Sequence, residues 1–87
     1  MSDPYYSNMS IRDLAAVISE DWNSKGKGVN YAAQPYLDAM STLTSISDNY
    51  MFDSGDSVVR YFLSNASSWR GDVAKAVKAE LKSRLAY

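Results

Sequence analysis

The side chains that most often do acid–base, nucleophilic and metal chemistry are missing from this sequence, which contains no histidine and no cysteine. The commonest general base, the commonest metal ligand and the thiol nucleophile are removed together. An enzyme built from these residues would run on carboxylates, lysine or serine. Serine is abundant, but none stands in a nucleophile-elbow pattern. Two close carboxylate pairs remain, Asp53 with Asp56 and Glu20 with Asp21. Carboxylates this close in sequence belong to a helix start or a solvated turn more often than to a catalytic pair. No catalytic residue, cofactor site or metal site is expected.

Two further segments invite a ligand and fail on spacing. Lys25-Gly26-Lys27-Gly28 has the glycines that let backbone N–H groups approach an anion. It lacks the preceding strand, the longer glycine spacing and the Ser or Thr after lysine that a phosphate loop needs, and reads as a mobile basic loop. Asp48 to Asp56 has the acidic and amide residues of a calcium loop without its alternating ligand positions or its bidentate Glu, and reads as a connector with turn chemistry.

What is left points to binding. Glu20 and Asp21 close the first helix, where negative charge opposes the macrodipole at a cost of about 0.3–1 kcal/mol. Either Lys25 and Lys27 compensate locally, or the pair is an acidic patch offered to a basic partner. Lys75, Lys78 and Lys82 share one face of the last helix, a solvated stripe in the simplest reading. Glu80 and Arg84, spaced as an i,i+4 pair, fall within the apolar arc of that helix; they are expected to overhang the bundle, the alternative being a groove used by a partner. Tyr61 lies at the edge of an apolar face, and exposed tyrosine favours interfaces.

The elements that must position these residues are helical. Ser10 caps a first helix with Asp13 three residues on, and Ile11, Leu14, Ala15, Ile18 and Trp22 recur on one face. Tyr36, Leu37, Met40 and Leu43 stripe a second, which starts at Pro35 or, with Asn30 as cap, a turn earlier. A third follows the Asp53-Ser54-Gly55-Asp56 turn to about Asn65, burying Val58, Val59, Phe62, Leu63 and Ala66. Ser67 or Ser68 caps the fourth, whose core stripe is Trp69, Val73, Ala76, Val77 and Leu81. No segment alternates as a strand does. The expected fold is all-α, a compact bundle of about four helices spanning residues 10–87, after a flexible tail at residues 1–9 in which Tyr5 and Tyr6 could dock onto the body.

The 87-residue chain has a net charge of −1, but residues 1–66 hold eight acids against four bases and residues 67–87 five bases against two acids. An acidic body with a basic last helix either pairs within one molecule or offers two faces of opposite sign. Neither a membrane span nor a secretory leader is read from the sequence, so the cytoplasm is the expected location. The last two helices also match a helix-turn-helix in spacing. Ser67, Ser68 and Arg70 would then start a recognition helix, with Lys75, Lys78 and Lys82 near phosphates, though the acidic total opposes such binding.

Residues 15–22, Ala-Ala-Val-Ile-Ser-Glu-Asp-Trp, and 61–71, Tyr-Phe-Leu-Ser-Asn-Ala-Ser-Ser-Trp-Arg-Gly, resemble small uncharacterised proteins of tailed bacteriophages. That resemblance implies expression in the cytoplasm of an infected bacterium and no known activity. The expected function is a non-enzymatic helical binding module engaging a host or phage protein, with Glu20, Asp21, Tyr61, Glu80 and Arg84 as candidate contacts. The alternative is nucleic-acid binding by the last two helices.

Overall fold

A computed structural model describes residues 4–50 and 53–85. Met51 and Phe52 of the connector, Tyr87 and residues 1–3 of the expected tail lie outside the described residues. In order, the elements are α1 (Pro4–Ser7), α2 (Ile11–Asn23), α3 (Gln34–Met40), β1 (Asn49–Tyr50), β2 (Asp53–Ser54), α4 (Gly55–Ser64) and α5 (Asp72–Leu85).

Helix α2 forms where its cap and period place it. Ser10 is extended and its Oγ accepts the Asp13 N–H at 3.1 Å. Two more of the N–H groups that a helix start leaves without partners, those of Ile11 and Arg12, donate to Thr44 O at 3.0 Å and Leu43 O at 2.9 Å. The loop after α3 is thereby tied to the start of α2. The buried face is the expected one: Ile11, Leu14, Ala15, Ile18 and Trp22.

Both expected starts of the second helix leave a trace. Asn30 Oδ1 accepts the Ala32 N–H at 2.9 Å and its backbone carbonyl takes Ala33 and Gln34, so a turn begins there. Helix α3 itself starts at Gln34, with Pro35 in the first turn, where its missing N–H costs nothing.

The connector holds a feature that alternation could not reveal, a two-residue antiparallel ladder pairing Asn49 with Ser54 and Tyr50 with Asp53. It is too short to carry a period. Asp48 closes the turn before it, accepting Thr44 N–H at 2.8 Å and Ser45 N–H at 3.2 Å through Oδ2. Gly55 follows, and a Cβ there would stand 2.7 Å from Ile46 O and 2.8 Å from Asp48 O. Only glycine lets α4 start so close to that turn. Ser54 caps α4, accepting the Ser57 N–H.

The fourth expected helix begins later than its sequence suggests. Ser67 and Ser68 are exposed loop residues, and α5 starts at Asp72 after Gly71, whose φ of +116° favours glycine. Trp69 is fully buried, but from the loop. The phase of α5 is therefore set by Ala74, Val77, Leu81 and Leu85, and Val73 and Ala76 are only half-buried.

The core is one cluster drawn from α2 to α5 and the loop around Trp69. At its centre Trp22 stacks on Trp69, centroids 5.8 Å apart and planes 15° from parallel, and meets Phe62 edge-on at 6.3 Å. The fold is all-α apart from the short ladder. Among the described residues no helix is long and apolar enough to cross a membrane.

The segment expected as a tail carries structure. Residues Pro4–Ser7 make a helical turn against α5, Tyr6 and Met9 pack on the core, and Arg84 donates to Tyr6 O at 3.0 Å and Ser7 O at 3.3 Å. The possibility that the Tyr5-Tyr6 segment docks is thus realised.

Candidate functional site

Docking α1 creates a cleft. Tyr5 and Tyr6 form one wall, Val17, Glu20 and Asp21 of α2 another, and Val73 of α5 contributes apolar surface; the cleft is half-open, with a volume of about 380 Å³. The two tyrosines meet edge to face, centroids 5.0 Å apart, and Tyr5 remains 68% exposed.

The electrostatics of this cleft follow from its place at the end of α2. The last turn of that helix has no basic residue, so the negative end of its dipole and two carboxylates coincide. Asp21 is partly occupied: its Oδ2 accepts the Trp69 indole N–H at 2.9 Å and lies 3.8 Å from the Lys25 ammonium. The expected local compensation by Lys25 is therefore present at Asp21, in a loose, half-exposed pair. Glu20 is exposed and, among the described residues, makes no ion pair.

The remaining protein-binding candidates lie elsewhere. Tyr61 is 56% exposed on α4 and stacks on Tyr36 of α3 at 5.5 Å. Glu80 and Arg84 are neither a solvated overhang nor the lining of an open groove. Glu80 is only 4% exposed, Arg84 Nε donates to its Oε2 at 2.7 Å, and α1 lies over the pair. The expectation failed because it treated the face beyond Val77 as uncovered. Glu80 Oε1 is buried with no hydrogen-bond partner among the described residues.

The basic face is also rearranged. Arg70, Lys75 and Lys82 are exposed, but Lys78 is half-buried. Its ammonium donates to Ala66 O at 2.7 Å and Trp69 O at 2.6 Å and lies 5.8 Å from the centroid of the Trp69 ring. Burial pushes the Lys78 pKa down, and the charges of Lys82 and Arg70 add to the shift. Lys78 thus fastens the α4–α5 loop to α5 rather than joining a solvated stripe. Replacing Lys78 with Met should leave two carbonyls of buried residues without their donor and cost about 1–3 kcal/mol, read from urea unfolding. A loss below about 0.5 kcal/mol would mean that water replaces the ammonium freely. Ser67, Ser68 and Arg70 precede α5 instead of opening it, so the recognition-helix start that the spacing suggested is not formed.

Of the two carboxylates near the start of α4, Asp56 belongs to the cap and Asp53 sits in the ladder opposite Tyr50. The Ser54 hydroxyl donates to Asp56 Oδ1 at 2.5 Å and holds that carboxyl below its usual value; desolvation opposes the shift, and the Ser57 N–H and Arg60 add to it. A general acid at neutral pH needs the opposite shift. Among the described residues no three Asp or Glu side chains gather as metal ligands do.

Comparison of the chain with protein-family models, with curated proteins and with solved structures gave no match. Of the residues named from the sequence, the structure brings Glu20 and Asp21 together with Tyr5 and Tyr6, which the sequence places in a tail able to dock. Their aromatic character was visible; their position opposite the end of α2 depends on contacts from Arg84, 77 and 78 residues away along the chain.

Proposed function

We propose that the protein is a non-catalytic binding module, with α2 to α5 as a four-helix frame, that engages a partner protein through the Tyr5/Tyr6 and Glu20/Asp21 cleft. The observation that carries this reading is the meeting of an exposed aromatic wall with carboxylates at a helix end that has no basic residue in its last turn. Aromatic area at low entropic cost supplies affinity, and the charge of Glu20, which makes no ion pair among the described residues, supplies orientation and choice of partner. Tyr61 offers a separate contact on α4. On the resemblance to phage proteins, the proposed partner is a host or phage protein in the bacterial cytoplasm.

The test uses charge reversal at a position that the fold tolerates. Glu20→Lys puts a base at the C-terminal end of α2, where it should be neutral or slightly stabilising. E20K and Y5A should therefore stay folded by circular dichroism and lose a partner that the wild-type protein captures from its producing host. Y31A, altered at a tyrosine that is 89% exposed and outside the cleft, should retain it. Capture that survives both cleft substitutions would reject the reading. Tight duplex DNA binding that weakens steeply with salt and depends on Arg70 and Lys75 would favour the last two helices as a nucleic-acid surface instead.

A further inference from the structure

We infer that the cleft receives an arginine side chain from a basic segment of the partner, its guanidinium lying against the Tyr5/Tyr6 wall and pairing with Glu20. The inference rests on the binding role proposed for this cleft and specifies the chemistry of its occupant.

Three features select that occupant. The first is sign: Glu20 and Asp21 line a space at the negative end of α2, so an anion is repelled and a cation attracted. The second is the division of labour between the carboxylates. Asp21 Oδ2 is engaged by the Trp69 indole and approached by Lys25, whereas Glu20 has no internal ion pair among the described residues. The incoming cation therefore meets a carboxylate it need not take from another group. The third is the aromatic wall. A planar guanidinium stacks on a tyrosine face and still presents forked donors to a carboxylate, which a compact ammonium cannot do as well.

Size and openness favour a side chain over an enclosed small molecule. A volume of about 380 Å³ falls near the lower end of the roughly 300–1,000 Å³ typical of ligand sites. The half-open mouth leaves room for the main chain of a peptide to continue outside. Val17 and Val73 line the same space and suit the aliphatic stem of a long cationic residue.

The probe is an acetylated, amidated Gly-Ser-Arg-Ser-Gly peptide, compared with the same peptide carrying citrulline, which keeps the shape and removes the charge. Binding to the full chain is followed by NMR shifts of the Glu20 and Asp21 amides and the Tyr5 and Tyr6 rings. The arginine peptide should give saturable shifts at these residues. Citrulline, or Glu20→Gln in the protein, should weaken binding by about two- to fivefold, since each removes one charge of an exposed pair. Equal binding of the two peptides, indifference to E20Q, or shifts no larger here than at Asp53 and Asp56 would overturn the inference. If E20K and Y5A abolish partner capture while the arginine peptide leaves the cleft unperturbed, the arginine assignment falls and the binding role stands. If neither substitution affects capture, the binding role falls whatever the peptide does.

Discussion

Replacing Arg84 with Met should destabilise the protein by about 3–5 kcal/mol, because it leaves the Glu80 carboxylate buried without its counter-ion. Glu80 is 4% exposed, its Oε2 has the Arg84 Nε–H at 2.7 Å, and its Oε1 has no partner among the described residues. A domain of this length has a total stability of roughly 4–13 kcal/mol, so the loss is a large part of the whole. Glu80→Leu should cost markedly less. Arg84 would keep the carbonyls of Tyr6 and Ser7 and remains partly exposed, while the unpaired oxygen disappears. The double variant E80L/R84M should recover most of the loss, as buried ion pairs replaced by apolar residues commonly do. Fold and cleft then separate. The double variant is folded but lacks the donors that hold α1, so chymotrypsin should cut faster at Tyr5 and Tyr6 and the cleft should lose its aromatic wall. Urea unfolding and proteolysis read the two effects independently. If R84M costs no more than E80L, the ion pair is not what the α5 face depends on.

The same pair shows where the sequence stops being legible. A helical wheel places Glu80 and Arg84 in the apolar arc, and the structure agrees. What covers that arc is α1, four residues long, and four residues cannot display a helical period. The docking left open for Tyr5 and Tyr6 and the overhang expected at the end of the last helix are thus one question: each surface supplies the partner that the other needs. The acidic patch was legible because it needs only helix α2 and its last turn, but the cleft required knowing that α1 folds back beside it.

Capping chemistry was legible where the cap immediately precedes an apolar period. Ser10 does so, and α2 starts there; before α4 the sequence marks the Asp53-Ser54-Gly55-Asp56 turn, within which Ser54 is the cap. At the last helix the same reasoning chose Ser67 or Ser68, because Trp69 extends the apolar series by one step. Gly71, with its positive φ, breaks the chain between Trp69 and α5, so the tryptophan enters the core from a loop and the helix has its own phase. Lys78 was misread as a consequence: from α5 it reaches back to the carbonyls of the loop it fastens.

Replacing Trp69 with Ala should cost about 3–5 kcal/mol, in the range for removing a buried aromatic side chain. The expected value lies toward the top of that range because the ring has several partners at once. It stacks on Trp22, donates to Asp21 and lies beneath the Lys78 ammonium. Trp69→Phe separates packing from polarity: it keeps an aromatic ring and removes the indole N–H, so a loss of about 1.5–3 kcal/mol is expected from the charged hydrogen bond and the smaller ring together. Asp21→Ala removes the acceptor instead. If the bond is real, the W69F/D21A double variant should be less damaging than the two losses added, by about 0.5–3 kcal/mol, in a double-mutant cycle on urea unfolding. Simple additivity would mean that Asp21 is free in solution and could serve the cleft as Glu20 does. Coupling would mean that Asp21 is held by the core, leaving Glu20 as the carboxylate that meets the partner.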